Sequence, residues 1–430
     1  MKLQLERNTV LHREYIEGQK FGTLYQYQTG TRAYLNQDML EVLEHILAGK
    51  TAASFVPLSI SAVIRSSILQ RIAEELRKLE LESFITRDEK NTGGLVKDVS
   101  VDPPLRVLFI ETTKTCNLRC KHCYVEEDMS ETRRRMLSGE DILNLLQQAD
   151  ELGVMEIQLT GGETFLIHDM MSVLRYARKR LVPCSIFTNG TVRHEEILNY
   201  VREGSYGLIF YVSLDGPEII HDEFRQCQGA YQKTTTLIRQ LVDMGCDVRL
   251  NTTVGSHNIE ILTEFAQFIK SEFGILHRFV PLEELGRAKG KPQLGIADVD
   301  FARTMSLIEG KMEFLDVHDH LSSLDWETPA CGVGSSMLFV NAYGDVSLCP
   351  TLTRNQGHEL HAGNIISESL KSIWEESGTF KKFRNTQCRR IYTCKVKEIC
   401  RGGCRCRSYL ETGDMTAPDS CMCRVFSQSA

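Results

Sequence analysis

The chain is predicted to be an α/β protein built around six parallel strands. From Leu105 onward, short runs rich in aliphatic residues alternate with amphipathic helical patterns, each long enough to return the chain over a sheet. Motifs of cysteine, glycine and polar residues follow the first four runs, and chemistry in such units collects at the carboxyl ends of the strands. The predicted strands are 105–111, 155–160, 184–188, 207–213, 246–253 and 276–281, and the predicted helices between them are 138–152, 168–181, 194–203, 230–244 and 257–273.

Composition restricts the class of protein. The 430 residues are 42% hydrophobic and 25% charged, which is typical of a globular chain with two or three domains. The net charge of −7 argues against a nucleic-acid partner. Residues 1–30 lack the pattern of a signal peptide, and no apolar run approaches the roughly 18 residues of a membrane span. We therefore expect a cytoplasmic protein with no membrane partner.

The fifteen cysteines predict metal or redox chemistry, because disulfides are rare in the cytoplasm. Three of them, Cys116, Cys120 and Cys123, form a C-x3-C-x2-C motif on the loop after the first barrel strand. Three thiolates at this spacing can hold three corners of a cuboidal iron–sulfur cluster and leave one iron open to a ligand. The alternative is a zinc site of three cysteines and His122.

The motif continues with Tyr124, and Thr160-Gly161-Gly162-Glu163 follows the second strand. This combination resembles the radical S-adenosylmethionine (SAM) enzymes. The resemblance implies a partial (β/α)6 barrel and a [4Fe–4S] cluster whose open iron chelates SAM, which is cleaved to a 5′-deoxyadenosyl radical. It also implies that Gly161 and Gly162 let the backbone approach the methionyl amine, with the carboxylate of Glu163 beside that cation.

Polar residues near the ends of later strands are further candidates for SAM binding. Ser213 and Asp215 follow the fourth strand, and Arg225 lies downstream. The resemblance implies that the serine and the arginine contact SAM; Asn251 and Arg278 are weaker candidates of the same kind. The alternative is local, because Asp-Gly-Pro forms turns by itself and a surface arginine is usually solvated.

The C-terminal region contains nine further cysteines. The spacings Cys331-x12-Gly344-x4-Cys349 and Cys394-x5-Cys400-x3-Cys404 resemble the SPASM extension of radical SAM peptide maturases, which implies two auxiliary iron–sulfur clusters, expected to be [4Fe–4S]. The alternative is a zinc ribbon. Position 391, where the family has a cysteine, is Ile391, and Cys388 is the substitute. The distal cluster is assigned Cys388, Cys394, Cys400 and either Cys421 or Cys423; the proximal cluster is assigned Cys331, Cys349 and Cys404, with Cys406 as a possible fourth ligand.

The N-terminal region shows no catalytic motif. A strand near 22–28, a helix capped by Asn36 and a later helical pattern resemble the recognition element of enzymes that modify ribosomally made peptides (RiPPs). That resemblance implies a winged-helix-like domain that binds a leader peptide by β-augmentation; the alternative is a generic helical domain. The later pattern predicts one buried face, formed by Ile64, Ile68, Ile72, Leu76 and Leu79. The expected domains are 1–95, 96–320 and 321–430, with a linker at 91–104.

Together these resemblances imply a radical SAM maturase of a ribosomal precursor peptide. The leading hypothesis is thioether formation between cysteine sulfur and carbon, as in sactipeptide and ranthipeptide maturases. The alternatives are carbon–carbon cross-linking of a peptide and formylglycine formation in a sulfatase. The expected partners are the precursor peptide and a small redox protein that donates electrons. An iron–sulfur electron carrier or a zinc-stabilised binding module would instead leave SAM uncleaved.

Overall fold

The computed structural model describes residues 3–16, 18–125, 134–192, 195–308, 332–352, 360–384 and 386–427. Its N-terminal part is a small four-stranded sheet in the order β4-β3-β2-β6, with helices on one side and a separate two-stranded pair, β1 and β5. These elements are β1 (Gln4–Leu5), β2 (Thr9–Ile16), β3 (Gln19–Gln26), β4 (Arg32–Leu35), α1 (Gln37–Leu47), α2 (Ala52–Phe55), α3 (Ala62–Leu81), β5 (Ile85–Thr86) and β6 (Leu95–Asp98). The sheet buries its own apolar core against α1, and α1 begins where the Asn36 side chain accepts a hydrogen bond from the Met39 N–H.

Two sequence predictions for this region were wrong. The predicted linker contains β6, which pairs in parallel with β2 and completes the sheet. Along α3, Ile72 and Leu79 are buried, whereas Ile64 and Ile68 are 56% and 37% exposed. The helix spans 20 residues, more than the small core behind it can cover, so its first two turns leave their apolar side chains in solvent.

The central part is the predicted run of six parallel strands, β7 to β12, which lie in the sheet in chain order. The elements are β7 (Val107–Glu111), α4 (Gly139–Glu151), β8 (Glu156–Thr160), α5 (Met170–Lys179), β9 (Cys184–Thr188), α6 (Glu195–Arg202), β10 (Leu208–Ser213), α7 (Glu218–Arg225), α8 (Ala230–Asp243), β11 (Asp247–Val254), α9 (Leu262–Glu272), β12 (Leu276–Pro281) and α10 (Asp298–Leu307). The α/β prediction is confirmed. Helix α7 was not predicted; it is a short helix that begins directly after Pro217.

The C-terminal part extends the same sheet. Strand β13 pairs in parallel with β7, and the sheet continues through β14 and β15 to nine strands. The elements are β13 (Met337–Val340), β14 (Asp345–Ser347), β15 (His361–Asn364), α11 (Leu370–Glu376), α12 (Gly378–Phe383), α13 (Lys397–Cys400), α14 (Arg405–Thr412) and α15 (Ser420–Ser427). Strands β13 and β14 form an antiparallel hairpin around Tyr343-Gly344-Asp345, a turn sequence of the kind that favours one. A helical pattern in the sequence over 301–314 corresponds to α10, and the residues of this pattern beyond 308 lie outside the described part of the chain.

Two buried ion pairs join the N-terminal sheet to the base of the barrel. The guanidinium of Arg106 donates to Glu14 on β2, and the Lys97 ammonium on β6 lies 2.7 Å from a carboxylate oxygen of Asp150 on α4. Both pairs are almost fully buried, so the two parts share a dry interface. Among the described residues, no helix is both long and apolar enough to cross a membrane.

Candidate active site

A cavity of about 340 Å³ opens at the carboxyl ends of the barrel strands. The three cysteines of the C-x3-C-x2-C motif line it, together with Tyr124, the two glycines after β8, Ser213, Arg225, Asn251 and Arg278. Apolar side chains, among them Phe109, Phe187 and Val280, cover another part of its wall. The motifs predicted to lie at the strand ends therefore converge on one partly apolar space.

The cysteine loop is held so that its sulfurs accept hydrogen bonds. The Leu118 N–H donates to Cys116 Sγ over 3.4 Å, and Arg225 Nη1 donates to Cys120 Sγ over 3.8 Å. Burial raises the pKa of the Cys116 thiol to about 11, so a bare thiol is protonated at neutral pH. A bound metal would favour the thiolate form. All three thiols border the cavity and two of them accept hydrogen bonds, which fits residues that would hold an iron–sulfur cluster with one iron free of cysteine.

His122 lies within the cysteine loop but serves in packing. Its ring stacks on Phe224 of α7 at 4.4 Å with an interplanar angle of 4°, and the backbone N–H of Lys121 donates to the Phe224 carbonyl. On the other side, Phe224 stacks on His257 at 3.5 Å. The stack fixes the loop on α7, and burial lowers the pKa of His122 to about 3.

The Gly161-Gly162 turn packs against the strand end that leads into the cysteine loop. A Cβ on Gly162 would lie 2.3 Å from the Thr115 carbonyl oxygen, and one on Gly161 would lie 2.6 Å from that of Thr113. The turn is also hydrogen-bonded there, because the Gly162 N–H donates to the Thr113 carbonyl at 2.7 Å. The glycines are therefore required for contact between two loops, in addition to bordering the cavity.

Glu163 is not among the residues that line the cavity, although its hydrogen-bond partners Thr188 and Asn189 are. It is buried, and it accepts hydrogen bonds from Thr188 Oγ1 and from the Asn189 N–H, both at 2.8 Å. Burial raises its pKa, and the hydrogen bonds oppose that shift. The sequence analysis expected this carboxylate beside the methionyl amine of SAM. In the structure its hydrogen bonds link the turn after β8 to the end of β9, and its place beside SAM stays a prediction.

Asp215 and Arg225 form a buried ion pair under the cysteine loop. Arg225 Nε lies 2.6 Å from Asp215 Oδ2, and the second guanidinium nitrogen donates to Oδ1 at 3.1 Å. Burial would raise the pKa of Asp215, but the charge of Arg225 and the hydrogen bond with His221 hold it well below its usual range. Arg225 and Ser213 line the cavity, whereas Asp215 lies behind Arg225 and orients it.

Two residues with a weaker or absent sequence signal also line the cavity. Asn251 Oδ1 and Gln158 Oε1 are buried there, and neither has a hydrogen-bond partner among the described residues. Buried carbonyl oxygens without donors are costly, so they favour a bound ligand that donates to them. Sequence reasoning missed Gln158. Its signal is a polar side chain in the middle of the otherwise apolar part of β8.

Comparison with known families decides the class. The radical SAM superfamily matches residues 110–269, and the iron–sulfur cluster-binding SPASM domain matches residues 331–406. The chain is a radical SAM enzyme with a SPASM domain. Its radical SAM domain accordingly binds a [4Fe–4S] cluster and SAM, and its SPASM domain binds iron–sulfur.

Individual relatives of this radical SAM enzyme differ in named activity. The AdoMet-dependent heme synthase of Nitratidesulfovibrio vulgaris is 26% identical over 348 residues, covering 74% of this chain and 92% of the relative. The antilisterial bacteriocin subtilosin biosynthesis protein AlbA of Bacillus subtilis is 26% identical over 311 residues, covering 70% of this chain and 67% of the relative. The crystal structure of Streptococcus suis SuiB bound to S-adenosylmethionine superposes with a TM-score of 0.66 at 18% identity, covering 97% of this chain and 99% of that one. The fold likeness thus includes the N-terminal sheet.

In the SPASM domain of this radical SAM enzyme, one group of thiols matches the predicted distal ligands. Burial raises the pKa of Cys423, and the neighbouring thiols of Cys388 and Cys394 raise it further. Burial also raises the pKa of Cys400, and the thiols of Cys423 and Cys394 add to that shift. After burial, the groups that most affect the pKa of Cys421 are Arg407, Asp298 and Asp419, outside this group. Of the two alternatives for the last ligand, Cys423 is the one that interacts with the other three thiols, and its role as a ligand stays a prediction.

A second group of thiols lies between the distal group and the cavity. Cys406 is fully buried and hydrogen-bonds to both Cys349 and Cys404, which lowers the pKa of each of them. Pro350 and Thr351, which directly follow Cys349, line the cavity. The predicted proximal ligands Cys349 and Cys404 are therefore together, with Cys406 beside them. The remaining predicted ligand, Cys331, lies outside the described residues.

Proposed function

We propose that this radical SAM enzyme modifies a ribosomally made precursor peptide and forms thioether bonds between cysteine sulfur and carbon. The observation that carries the proposal is the cavity itself, which is lined both by the C-x3-C-x2-C thiols and by the two residues after Cys349. A substrate in this space meets both a SAM site and a SPASM thiol group. AlbA, a relative named for bacteriocin biosynthesis, supports a peptide as the substrate.

The residues around the cavity have separable roles in this proposal. Arg225 and Ser213 bind SAM, and Asn251 and Gln158 accept hydrogen bonds from the bound molecules. When bound, the cluster and SAM supply a 5′-deoxyadenosyl radical that removes a hydrogen atom from the substrate. The apolar wall around Phe109 and Phe187 excludes water, which protects the substrate radical from side reactions. A small redox protein supplies the electrons.

The N-terminal sheet is proposed to bind the leader of the precursor. Strand β4 lies at one end of the four-stranded sheet, and the first turns of α3 expose Val63 (81%), Ile64 (56%) and Ile68 (37%). A strand at a sheet edge offers backbone hydrogen bonds to an added strand, and neighbouring apolar side chains provide specificity. A bound leader would raise the effective concentration of the core peptide at the cavity.

A second candidate, carbon–carbon cross-linking of the same peptide, is favoured by Cys406. Thioether formation through an auxiliary iron needs an open position for the substrate thiolate. If Cys331, Cys349, Cys404 and Cys406 all bind one proximal cluster, no position is left for that thiolate. Formylglycine formation in a sulfatase is compatible with a fully ligated cluster as well.

The experiment is a reaction of the anaerobically reconstituted enzyme with SAM, a reductant and the precursor peptide encoded beside its gene. Thioether formation predicts loss of two hydrogen atoms per bond and one fewer thiol that iodoacetamide can alkylate. The same mass loss with all thiols still reactive would instead establish the second candidate. An unmodified peptide together with heme formation from a porphyrin precursor would assign the activity named in the heme synthase relatives and overturn the proposal.

A further inference from the structure

Glu283 is the only aspartate or glutamate among the described residues that line the cavity. It lies in the loop after β12, and its side chain is 34% exposed. Other carboxylates near the cysteine loop have partners of their own; Glu223, for example, is paired with Lys121. Glu163 accepts hydrogen bonds from the turn after β9, and Asp215 is paired with Arg225. Glu283 therefore presents the carboxylate that a substrate in the cavity can reach.

An ion pair network fixes Glu283 between the SAM site and the SPASM domain. Arg407 Nε on α14 donates to Glu283 Oε1 at 2.8 Å, and Arg407 Nη1 donates to Asp419 Oδ2 at 3.1 Å. Asp419 in turn accepts the backbone N–H of Cys404 at 2.7 Å. The carboxylate on the cavity wall is thus tied through two buried side chains to the segment that carries a predicted proximal ligand.

Cross-linking requires a base at this place. When two substrate atoms are joined, the first loses a hydrogen atom, which leaves as part of 5′-deoxyadenosine. The second loses a proton. We propose that Glu283 is the general base that accepts this proton, and that Arg407 positions it. The inference rests on the proposed function and adds a catalytic residue to it.

The step balances for a thioether. The S–H bond of the substrate cysteine breaks, its proton goes to the Glu283 carboxylate, and its sulfur bonds to the substrate carbon radical. The remaining electron passes to an iron–sulfur cluster of the SPASM domain. A carbon–carbon bond has the same balance, with the proton leaving from a C–H bond of the second partner. Glu283 is therefore expected to act whichever bond the enzyme forms.

The test is Glu283→Gln, which keeps the shape of the side chain and its ability to accept from Arg407. The expected result is at least a tenfold fall in cross-linked peptide per 5′-deoxyadenosine formed, because radicals are generated without the proton transfer that completes the bond. Glu283→Asp should restore part of the product, since it restores the carboxylate.

Glu284→Gln is the matched control, because Glu284 is the neighbouring residue and is exposed. It is expected to give the wild-type ratio. Affinity of the iron-free protein for fluorescein-labelled precursor peptide is measured in parallel, and a loss that accounts for the missing product would assign Glu283 to binding and overturn the proposal. An unchanged ratio in Glu283→Gln would overturn it too. Absence of any cross-link with the wild-type enzyme would instead refute the proposed function on which it rests.

Discussion

At the scale of single residues, the site depends on buried charges that neutralise one another. Arg225 and Asp215 are both almost fully buried, and together they present one guanidinium nitrogen to the Cys120 sulfur. Removing one partner of such a pair leaves the other charge desolvated and unpaired. The cost then greatly exceeds that of breaking an ion pair in water.

Asp215→Ala is accordingly expected to lower the free energy of unfolding by about 3–5 kcal/mol. Arg239→Gln breaks the exposed pair with Glu272 and should cost less than about 1 kcal/mol. Anaerobic urea denaturation followed by circular dichroism measures both. Equal stability of the two variants would contradict the view that the Asp215–Arg225 pair is structurally essential.

Gly162→Ala tests the contact between the glycine turn and the cysteine loop. The new Cβ would lie 2.3 Å from the Thr115 carbonyl, so the segment before Cys116 must shift. We expect lower iron content after reconstitution and at least a tenfold loss of SAM affinity, measured by iron assay and equilibrium dialysis. Gly378→Ala is the control, because a Cβ there meets no atom within 4 Å. Wild-type iron content in Gly162→Ala would show that the two loops adapt independently.

At the scale of helices and strands, sequence patterns identified the elements whose signal lies in neighbouring residues. The six barrel strands agree with prediction to within two residues at each end, because buried parallel strands are continuous apolar runs bounded by turns. Helix α4 begins at a capping box of Ser138 and Asp141 that is visible in the sequence. In contrast, β6 has only four residues in a segment rich in turn residues, and α7 begins directly after the Asp-Gly-Pro turn, so neither was predicted. The exposure of Ile64 and Ile68 depends on how far the core extends, which no local pattern reports.

That exposed face gives the prediction at this scale. Ile64→Asp combined with Ile68→Asp is expected to weaken binding of a labelled leader peptide at least tenfold, because the exposed apolar face of α3 is lost. Thermal stability should change little, since neither side chain belongs to the apolar core of the N-terminal part. Ile366→Asp is the control: that residue is 53% exposed but lies just after β15. Equal leader affinity in the double variant and the control would reject the N-terminal domain as the leader site.

At the scale of the whole molecule, the sequence predicted three domains but not how they join. The SPASM hairpin continues the barrel sheet through β13 and β7, whose paired residues are more than 200 positions apart. The interface at the base of the barrel pairs Glu14 with Arg106 across 92 positions. Contacts between positions so far apart leave no periodic pattern in the sequence. For the same reason, the sequence did not determine which cysteines lie together or whether Cys406 joins the proximal group. The motifs at the strand ends were predictable because topology alone brings them together.

The interface between the N-terminal sheet and the barrel also predicts how stability depends on pH. His12 on β2 is buried there, facing Lys97 and Arg32 of its own sheet and Arg106 and the Gly153 backbone of the barrel. Burial and these three cations lower its pKa to about 3, against 6.5 for the unfolded chain. Between these values only the unfolded state binds the proton, so stability is complete above pH 6.5 and is lost as the pH falls.

From pH 7.5 to 5.5, this single group is expected to remove about 1.4 kcal/mol from the free energy of unfolding. His12→Gln should lose that much less than the wild type over the same range, as measured by anaerobic denaturation at each pH. His168→Gln is the control, because that side chain is 97% exposed and should follow the wild-type curve. A His12→Gln curve parallel to the wild type would mean that the histidine is protonated in the folded protein. The interface would then have to hold His12, Lys97, Arg32 and Arg106 as four cations against the two carboxylates of Glu14 and Asp150.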